Sequence, residues 1–277
     1  MSKTPSSEPV YVLGRSHGET ARLQAQALLL EPLTESLFRD AGIRSGMKVL
    51  DLGAGAGDVA MLAARLVGPM GSVLGVDANA AILETARVKA HEAGYRNVSF
   101  QQGDIQHLDL DQDFDAIVGR YIMMYMPAPQ AVMRAVASHL RHGGIAAFQE
   151  CDWTQSPYAI PSSPLLDQVW KWIRAAFEES GADTKIGPKL RQLFLGAGLA
   201  DPQLHGDRWI GGGANWGGYE HMANLVRSVL PFLEASRIAT AEQIGIDSLC
   251  DRLRQEIVRQ NGVVIYHTLV RAWAHKP

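Results

Sequence analysis

A chain of 277 residues, 47% hydrophobic and 20% charged, has the composition of one large domain, or one domain with a cap, built around a proper core. Its formal net charge of −3 gives no electrostatic case for nucleic acid or an anionic membrane, and no apolar run reaches the ~20 residues needed to span a bilayer. The two cysteines, Cys151 and Cys250, lie far apart with no CxxC, which favours reduced thiols over a disulfide. The stretch 1–9 is polar and lacks the apolar centre of a secretory signal, so a cytoplasmic protein is expected.

Residues 1–10 read as a disordered tail. A helix is expected over 18–37, with Leu23, Gln26, Leu30 and Leu33 near helical spacing and Pro32 as a break or kink. Strand, glycine turn, helix and strand then follow: Met47 to Leu52, the turn through Gly57, a helix to about Val67, and Ser72 to Val76. Asn79 can cap the next helix, whose stripe Ile82, Leu83, Ala86 and Ala90 ends at Gly94. Strands over 98–102, 114–119 and 145–149 alternate with a helix over 129–140, and five such alternations predict a parallel, doubly wound α/β sheet.

Past Glu150 the rhythm breaks. A segment rich in Pro, Ser and aromatics leads to a helix over 165–180, which reads as a cap insertion. Core pattern resumes with a helix over 189–197 and an extended run over 203–210. Helices are expected around 216–233 and 240–260, and Val263 to Trp273 reads as a buried final strand. The expected division is 1–45 as tail and helical lid, 46–150 as nucleoside-binding core, 151–185 as cap, and 186–277 as the rest of the core sheet with a further helical insertion.

The glycine turn carries the chemistry. Gly53-x-Gly55-x-Gly57 has its third glycine one place earlier than the G-x-G-x-x-G that cradles a pyrophosphate. Asp51 and Asp58 flank it, and two carboxylates would repel a pyrophosphate but attract a cation. Asp77 closes the second strand where a ribose-binding acid belongs, with a helix cap as its competing role. Gly103-Asp104-Ile105 ends the third strand and offers an acid to an exocyclic amine. Three acids at the carboxyl ends of successive strands form a stronger set than any one of them, because open α/β sheets bind ligands there.

Val49-Leu50-Asp51-Leu52-Gly53-Ala54-Gly55-Ala56-Gly57 resembles motif I of the class I S-adenosylmethionine-dependent methyltransferases. Asp77, Gly103-Asp104 and Phe114-Asp115-Ala116-Ile117-Val118 match the succeeding motifs in order and spacing, and Leu140-Arg141-His142-Gly143-Gly144 resembles the turn before strand 5. The match covers about 45–150, nearest to the small-molecule group that includes ubiquinone/menaquinone C-methyltransferases. The resemblance implies a Rossmann-like sheet of seven strands, mostly parallel with the last antiparallel, carrying an N-terminal helical extension and a helical cap. It implies S-adenosyl-L-methionine as cofactor and S-adenosyl-L-homocysteine as product. It assigns Asp51, Gly53, Ala54, Gly55 and Gly57 to the methionine end, Asp77 and Ala78 to the ribose, and Gly103, Asp104 and Ile105 to the adenine. Arg120 and Tyr121 would line the floor near the sulfonium; Arg120 departs from the small or amide residue expected there and could pair with Asp51 or with the cofactor carboxylate.

Methyl transfer from a sulfonium is an in-line displacement, so the acceptor needs a closed, partly apolar pocket. Met124 and Tyr125 after strand 4, Trp153 after strand 5 and Trp172 on the cap helix are the expected substrate walls, which suits an apolar or aromatic small molecule. Candidate bases are Glu150, His17 and His221, with Asp152 a further acid beside them; structural roles compete for each. No HExxH or clustered Cys/His spacing calls for a metal. The expected partner is a small-molecule methyl acceptor, with no nucleic acid and no membrane span, in a monomer or homodimer. Gly119-Arg120-Tyr121-Ile122 lacks the Asn/Asp-Pro-Pro-aromatic tetrapeptide of an amino-methylating nucleic-acid enzyme. The shortened glycine spacing and the loop acids disfavour a nicotinamide oxidoreductase. A cofactor-binding protein of the same fold, with a non-methyltransferase or regulatory role, competes with the enzyme.

Overall fold

The computed structural model describes residues 17–107, 110 and 113–277. The tail expected over 1–10 lies outside them. In chain order the elements are α1 (His17–Asp40), β1 (Lys48–Leu52), α2 (Asp58–Val67), β2 (Ser72–Asp77), α3 (Ala80–Glu92), β3 (Val98–Gln102), β4 (Phe114–Arg120), α4 (Pro129–His139) and β5 (Leu140–Asp152). Then come β6 (Tyr158–Ile160), α5 (Pro164–Glu179), α6 (Leu190–Gly196), β7 (Gln203–Gly211), α7 (Gly218–Ala235), α8 (Ala241–Ile244), α9 (Leu249–Arg259) and β8 (Val263–His275).

The chain divides into two compact units. A sheet unit comprises Ala27–Asp152, Lys185–Asp207 and Leu269–Pro277, and a helical unit comprises the start of α1, Trp153–Thr184 and Arg208–Thr268. The strand order is β3-β2-β1-β4-β5-β8-β6, with β7 also on β8. β1 to β5 pair in parallel, whereas β6 and β8 run antiparallel. All seven expected strands are present, and the three-residue β6 makes an eighth.

In the sheet unit, Val49, Val73, Ala116, Val118, Ile145 and Ala147 point to one face because side chains alternate along a strand. Leu37 and Phe38 of α1 and Val59, Ala63 and Val67 of α2 cover that face. Phe148 points the other way and meets Phe194 of α6 edge-on at 6.0 Å, where α6 packs on α4. Burial on both faces explains why these strands read as continuous apolar runs.

Three boundaries differ from the sequence reading. α1 runs through Pro32 as one helix, since a proline removes one backbone hydrogen bond while Leu30, Leu37 and Phe38 hold the helix by burial. β5 starts at Leu140, so the stretch expected as a turn belongs to the strand, with Phe114 paired to Leu140 and a register shift before Ala116. The helix expected over 240–260 breaks at Gly245, which adopts φ +61° and ends α8. No helix among the described residues is long and apolar enough to cross a membrane.

Candidate cofactor site

The parallel register lines up the carboxyl ends of β1 to β5. Val76, Leu52, Gly119 and Phe148 form one row, through the pairs Leu52–Val76, Leu52–Gly119 and Gly119–Phe148. One residue further on, Gln102 pairs with Asp77 and Arg120 with Gln149. The sheet thus places Asp77, the start of the glycine turn, Arg120 and Gln149 along a single edge.

The turn itself is held by backbone and by Asp77. The Gly53 and Ala54 N–H groups both donate to the Val76 carbonyl, at 2.8 and 3.0 Å. Asp77 Oδ2 accepts from the Gly55 N–H and Oδ1 from the Asn79 N–H, each at 2.9 Å. Gly55 sits at φ +51° with nothing nearer to an added Cβ than the Gly53 carbonyl at 3.9 Å, so this glycine leaves open space. Gly57, at φ +84°, differs: its Cβ would come within 2.9 Å of the Phe100 ring and 3.0 Å of Ala86. Asp58 forms an ion pair with Lys89 at 2.7 Å, whereas one carboxylate oxygen of Asp51 accepts no hydrogen bond from the described residues.

Asp51 is 1% exposed, and its Oδ2 has no hydrogen-bond partner among the described residues. Burial pushes its carboxyl up to about 8, against the pull of the nearby Arg120 charge, and the Asp77 charge adds to the rise. Arg120 reaches the hydroxyl of Thr34 on α1 through Nη1 at 3.1 Å rather than closing an ion pair on Asp51. Thr34 in turn donates to Gln149 Oε1 at 2.7 Å, and the buried Gln149 Nε2 is unpartnered. Desolvation lowers the Arg120 guanidinium from its usual range.

The remaining cofactor candidates fall along the same edge. Ala78 is exposed, and its carbonyl accepts from Gln102 Nε2 at 3.1 Å. Gly103 N–H donates to the Asp77 carbonyl at 3.1 Å, and Asp104 and the buried Ile105 follow. Asp104 accepts from His107 Nδ1 at 2.8 Å and from the Gln106 N–H at 2.9 Å, and these two partners hold it below the usual carboxylate range. Tyr121 leaves β4 at φ +54°, a conformation unfavourable for an aromatic residue, and its N–H donates to the Gln149 carbonyl at 2.9 Å.

Glu150 is fully buried, and its Oε1 accepts from the Ile122 and Met123 N–H groups at 2.8 and 2.7 Å, so this carboxylate shapes the turn after β4. Met124 is buried with its sulfur 3.9 Å from Cys151 Sγ. Tyr125 is half-buried, its N–H donating to the Ile122 carbonyl at 3.1 Å, and Asp152 is half-buried at the end of β5. His17 opens α1, and its side chain lies outside what the structure describes. No group of three or more His, Cys, Asp or Glu suited to a metal occurs among the described residues.

In the helical unit, Trp153 is 4% exposed and packs edge-on against Trp170 and Phe177 of α5, at 4.7 and 4.8 Å between ring centroids. Trp172 is only half-buried; the apolar face of α5 carries Trp170, Ile173 and Phe177, at helical spacing. His221 is buried on α7, its ring 5.4 Å from Trp209 and 5.7 Å from Tyr266. The sequence reading missed Thr34, Gln149 and His267. The legible signal was a polar residue inside an apolar strand, at Gln149 after Ile145-Ala146-Ala147-Phe148 and at His267 within Val263 to Trp273.

A family profile described as "Methyltransferase domain" matches residues 43–187, more than half of the chain. The arsenite methyltransferase of Aquipseudomonas alcaligenes is 31% identical over 186 residues, 64% of this chain and 43% of that protein. The ubiquinone/menaquinone biosynthesis C-methyltransferase UbiE of Pseudomonas paraeruginosa is 33% identical over 132 residues, 47% of this chain and 49% of its own. The chain thus spans about half the length of these curated relatives. The crystal structure of YcgJ from Bacillus subtilis superposes with a TM-score of 0.61 at 22% identity, covering 88% of this chain and 98% of that one, which shows a shared fold.

Proposed function

The chain belongs to the methyltransferase-domain family, and from that premise we propose that it is an S-adenosyl-L-methionine-dependent methyltransferase acting on a small apolar or aromatic molecule. The observation that carries this reading is Asp51: a buried carboxyl with a bare oxygen, beside a glycine turn whose middle glycine stands open. A pyrophosphate there would raise the cost of ionising Asp51 further, whereas an ammonium group would lower it.

Asp51 and the bare Gln149 Nε2 would face the ammonium and carboxylate of the methionine end, with Gly53, Ala54, Gly55 and Gly57 keeping the backbone close. Each Asp77 oxygen accepts one backbone N–H and retains a lone pair for a ribose hydroxyl, with Ala78 alongside. Gly103, Asp104 and the buried Ile105 would seat the adenine. Arg120 and Tyr121 would form the floor, Arg120 oriented by Thr34. When bound, the cofactor supplies an electrophilic methyl group on a sulfonium. The protein's part is to orient the acceptor behind that methyl and to exclude water.

We read Glu150 as a positioning residue that fixes the turn leading to Met124 and Tyr125. Removal of an acceptor proton, where the acceptor needs it, falls to His17 or His221 in this reading, and Trp153 and Trp172 remain candidates for the acceptor's walls. The two cysteines without disulfides fit a reducing cytoplasm, and the net charge of −3 fits an acceptor other than nucleic acid. A monomer or homodimer is the expected assembly.

The test is incubation with methyl-labelled cofactor and an extract of the host. Label should appear in the small-molecule fraction. No labelled product across conditions would favour a cofactor-binding protein with a regulatory or non-methyltransferase role. Label confined to RNA would overturn the small-molecule acceptor.

A further inference from the structure

Two glycines at the ends of neighbouring strands leave a seat in the sheet unit, and one side chain fills it. Gly53 opens the glycine turn after β1, and Gly119 is the last residue but one of β4. A Cβ added at Gly53 would stand 2.5 Å from Ile122 Cδ1 and 3.0 Å from its Cγ1. A Cβ added at Gly119 would stand 2.8 Å from Ile122 Cγ2 and 2.8 Å from the Phe148 ring. Ile122 therefore lies against both backbones, at a range that a side chain on either glycine would deny it. Gly119 pairs with Leu52, the neighbour of Gly53, so the seat spans β1 and β4 at the carboxyl edge of the sheet.

The chain reaches that seat through a strained residue. Tyr121 holds φ +54°, a left-handed conformation that an aromatic side chain adopts only where its surroundings impose it. Three hydrogen bonds from the turn to β5 hold it. Tyr121 N–H donates to the Gln149 carbonyl at 2.9 Å, and the Ile122 and Met123 N–H groups donate to the buried Glu150 Oε1 at 2.8 and 2.7 Å. A glycine at 121 would follow the same path without strain, and strain of this kind gathers at functional sites. β5 thus grips the turn by its backbone, while Ile122 plugs it into the end of β1 by its side chain.

We propose that Ile122 is a positioning residue that locks the turn after β4 to the glycine turn, so that cofactor binding at Gly53 orders the residues leading to Met124 and Tyr125. Isoleucine suits the task. Its β-branch restricts its rotamers, and both branches are seated, Cγ1 and Cδ1 on Gly53 and Cγ2 on Gly119. The consequence for catalysis rests on the methyltransferase reading. With the cofactor on one turn and the acceptor's walls on the other, this contact sets how far the acceptor stands from the methyl group.

Amide hydrogen exchange of the full chain, with and without S-adenosyl-L-homocysteine, tests the link in the parent, Ile122→Val and Ile122→Ala. Valine loses only Cδ1, the carbon nearest Gly53, and alanine loses both branches. In the parent, the ligand should slow exchange over 53–57 and, by at least about threefold, over 121–126. Both variants should keep the slowing over 53–57. Over 121–126 it should shrink in Ile122→Val and disappear in Ile122→Ala. Slowing confined to 53–57 in the parent overturns the proposal, and so does slowing over 121–126 that neither variant reduces. Ile122→Val alone decides the point where Ile122→Ala fails to fold. Transfer of label from methyl-labelled cofactor into the small molecules of a host extract separates the link from the reading beneath it. At saturating cofactor, Ile122→Ala should label at least about tenfold more slowly than the parent, with S-adenosyl-L-homocysteine affinity within about threefold. A rate loss matched by an equal loss of affinity contradicts a positioning role. The exchange link without label in the parent removes the methyltransferase reading alone, and label in the parent without the exchange link removes this proposal alone.

Discussion

At the scale of single residues, Asp51 sets the most specific expectation. Its carboxyl stands at about 8 in the folded chain, against an ordinary value of 3.8, so the native state holds a proton that the unfolded chain has released through that window. Its contribution to stability is therefore fully present below about pH 4 and is lost as pH rises to about 8. Urea unfolding of Asp51→Asn should show a flatter pH dependence than the parent between about pH 5 and 8.5, and identical slopes would remove Asp51 as the source. A cationic group arriving beside Asp51 lowers its pKa, so cofactor binding at about pH 7 should release a proton. Calorimetry in phosphate and in Tris should then give different apparent enthalpies for the parent and equal ones for Asp51→Asn.

Asp77 and the glycines separate binding from folding. Asp77→Ala removes an acceptor shared by Gly55 and Asn79, and should weaken S-adenosyl-L-homocysteine by about 1–3 kcal/mol; unchanged affinity would take Asp77 out of the site. Gly57→Ala meets Phe100 and Ala86 at a positive φ and should cost about 1–3 kcal/mol of stability. Gly55→Ala meets open space, so its larger effect should fall on cofactor affinity, with a smaller drop in melting temperature. Asp51, Asp77 and Asp104 were legible because each lies at or near the carboxyl end of a strand in a local β-α-β pattern. The link among Arg120, Thr34 and Gln149 was not, because the Thr34–Gln149 bond joins residues 115 apart in the chain.

At the scale of elements, α1 is tied to the sheet's carboxyl edge by one hydroxyl. Thr34 links α1 to Gln149 on β5 and to Arg120 on β4. Thr34→Val keeps the shape and strips both bonds, leaving the buried Gln149 carbonyl oxygen bare. It should cost about 1–3 kcal/mol in urea unfolding, and a loss under about 0.5 kcal/mol would show that the link is idle. The strands and most helices were readable from their apolar patterns, since β1, β4 and β5 are buried on both faces and the helices carry one buried stripe. The boundaries that moved were set by tertiary context. Burial carries α1 across Pro32, pairing with β4 draws Leu140 into β5, and a single left-handed glycine divides α8 from α9.

For the whole molecule, the family match spans residues 43–187, and the local motifs fill its first part, to about residue 150. Past Glu150 the sequence carried helices and strands but, for a binding site, only aromatic content. The position of Trp170 on the buried face of α5, with Trp172 off it, follows from helical spacing and could have been read. The meeting of Trp153, Trp170 and His267 could not, because it depends on how β8 returns beside distant segments. On the proposed function, the glycine turn selects a cationic, phosphate-free nucleoside. Isothermal titration of the full chain with S-adenosyl-L-homocysteine and, separately, with NADH tests it most directly. A turn of this selectivity gives saturable, one-to-one binding of S-adenosyl-L-homocysteine and no binding of NADH; binding of NADH alone would contradict it.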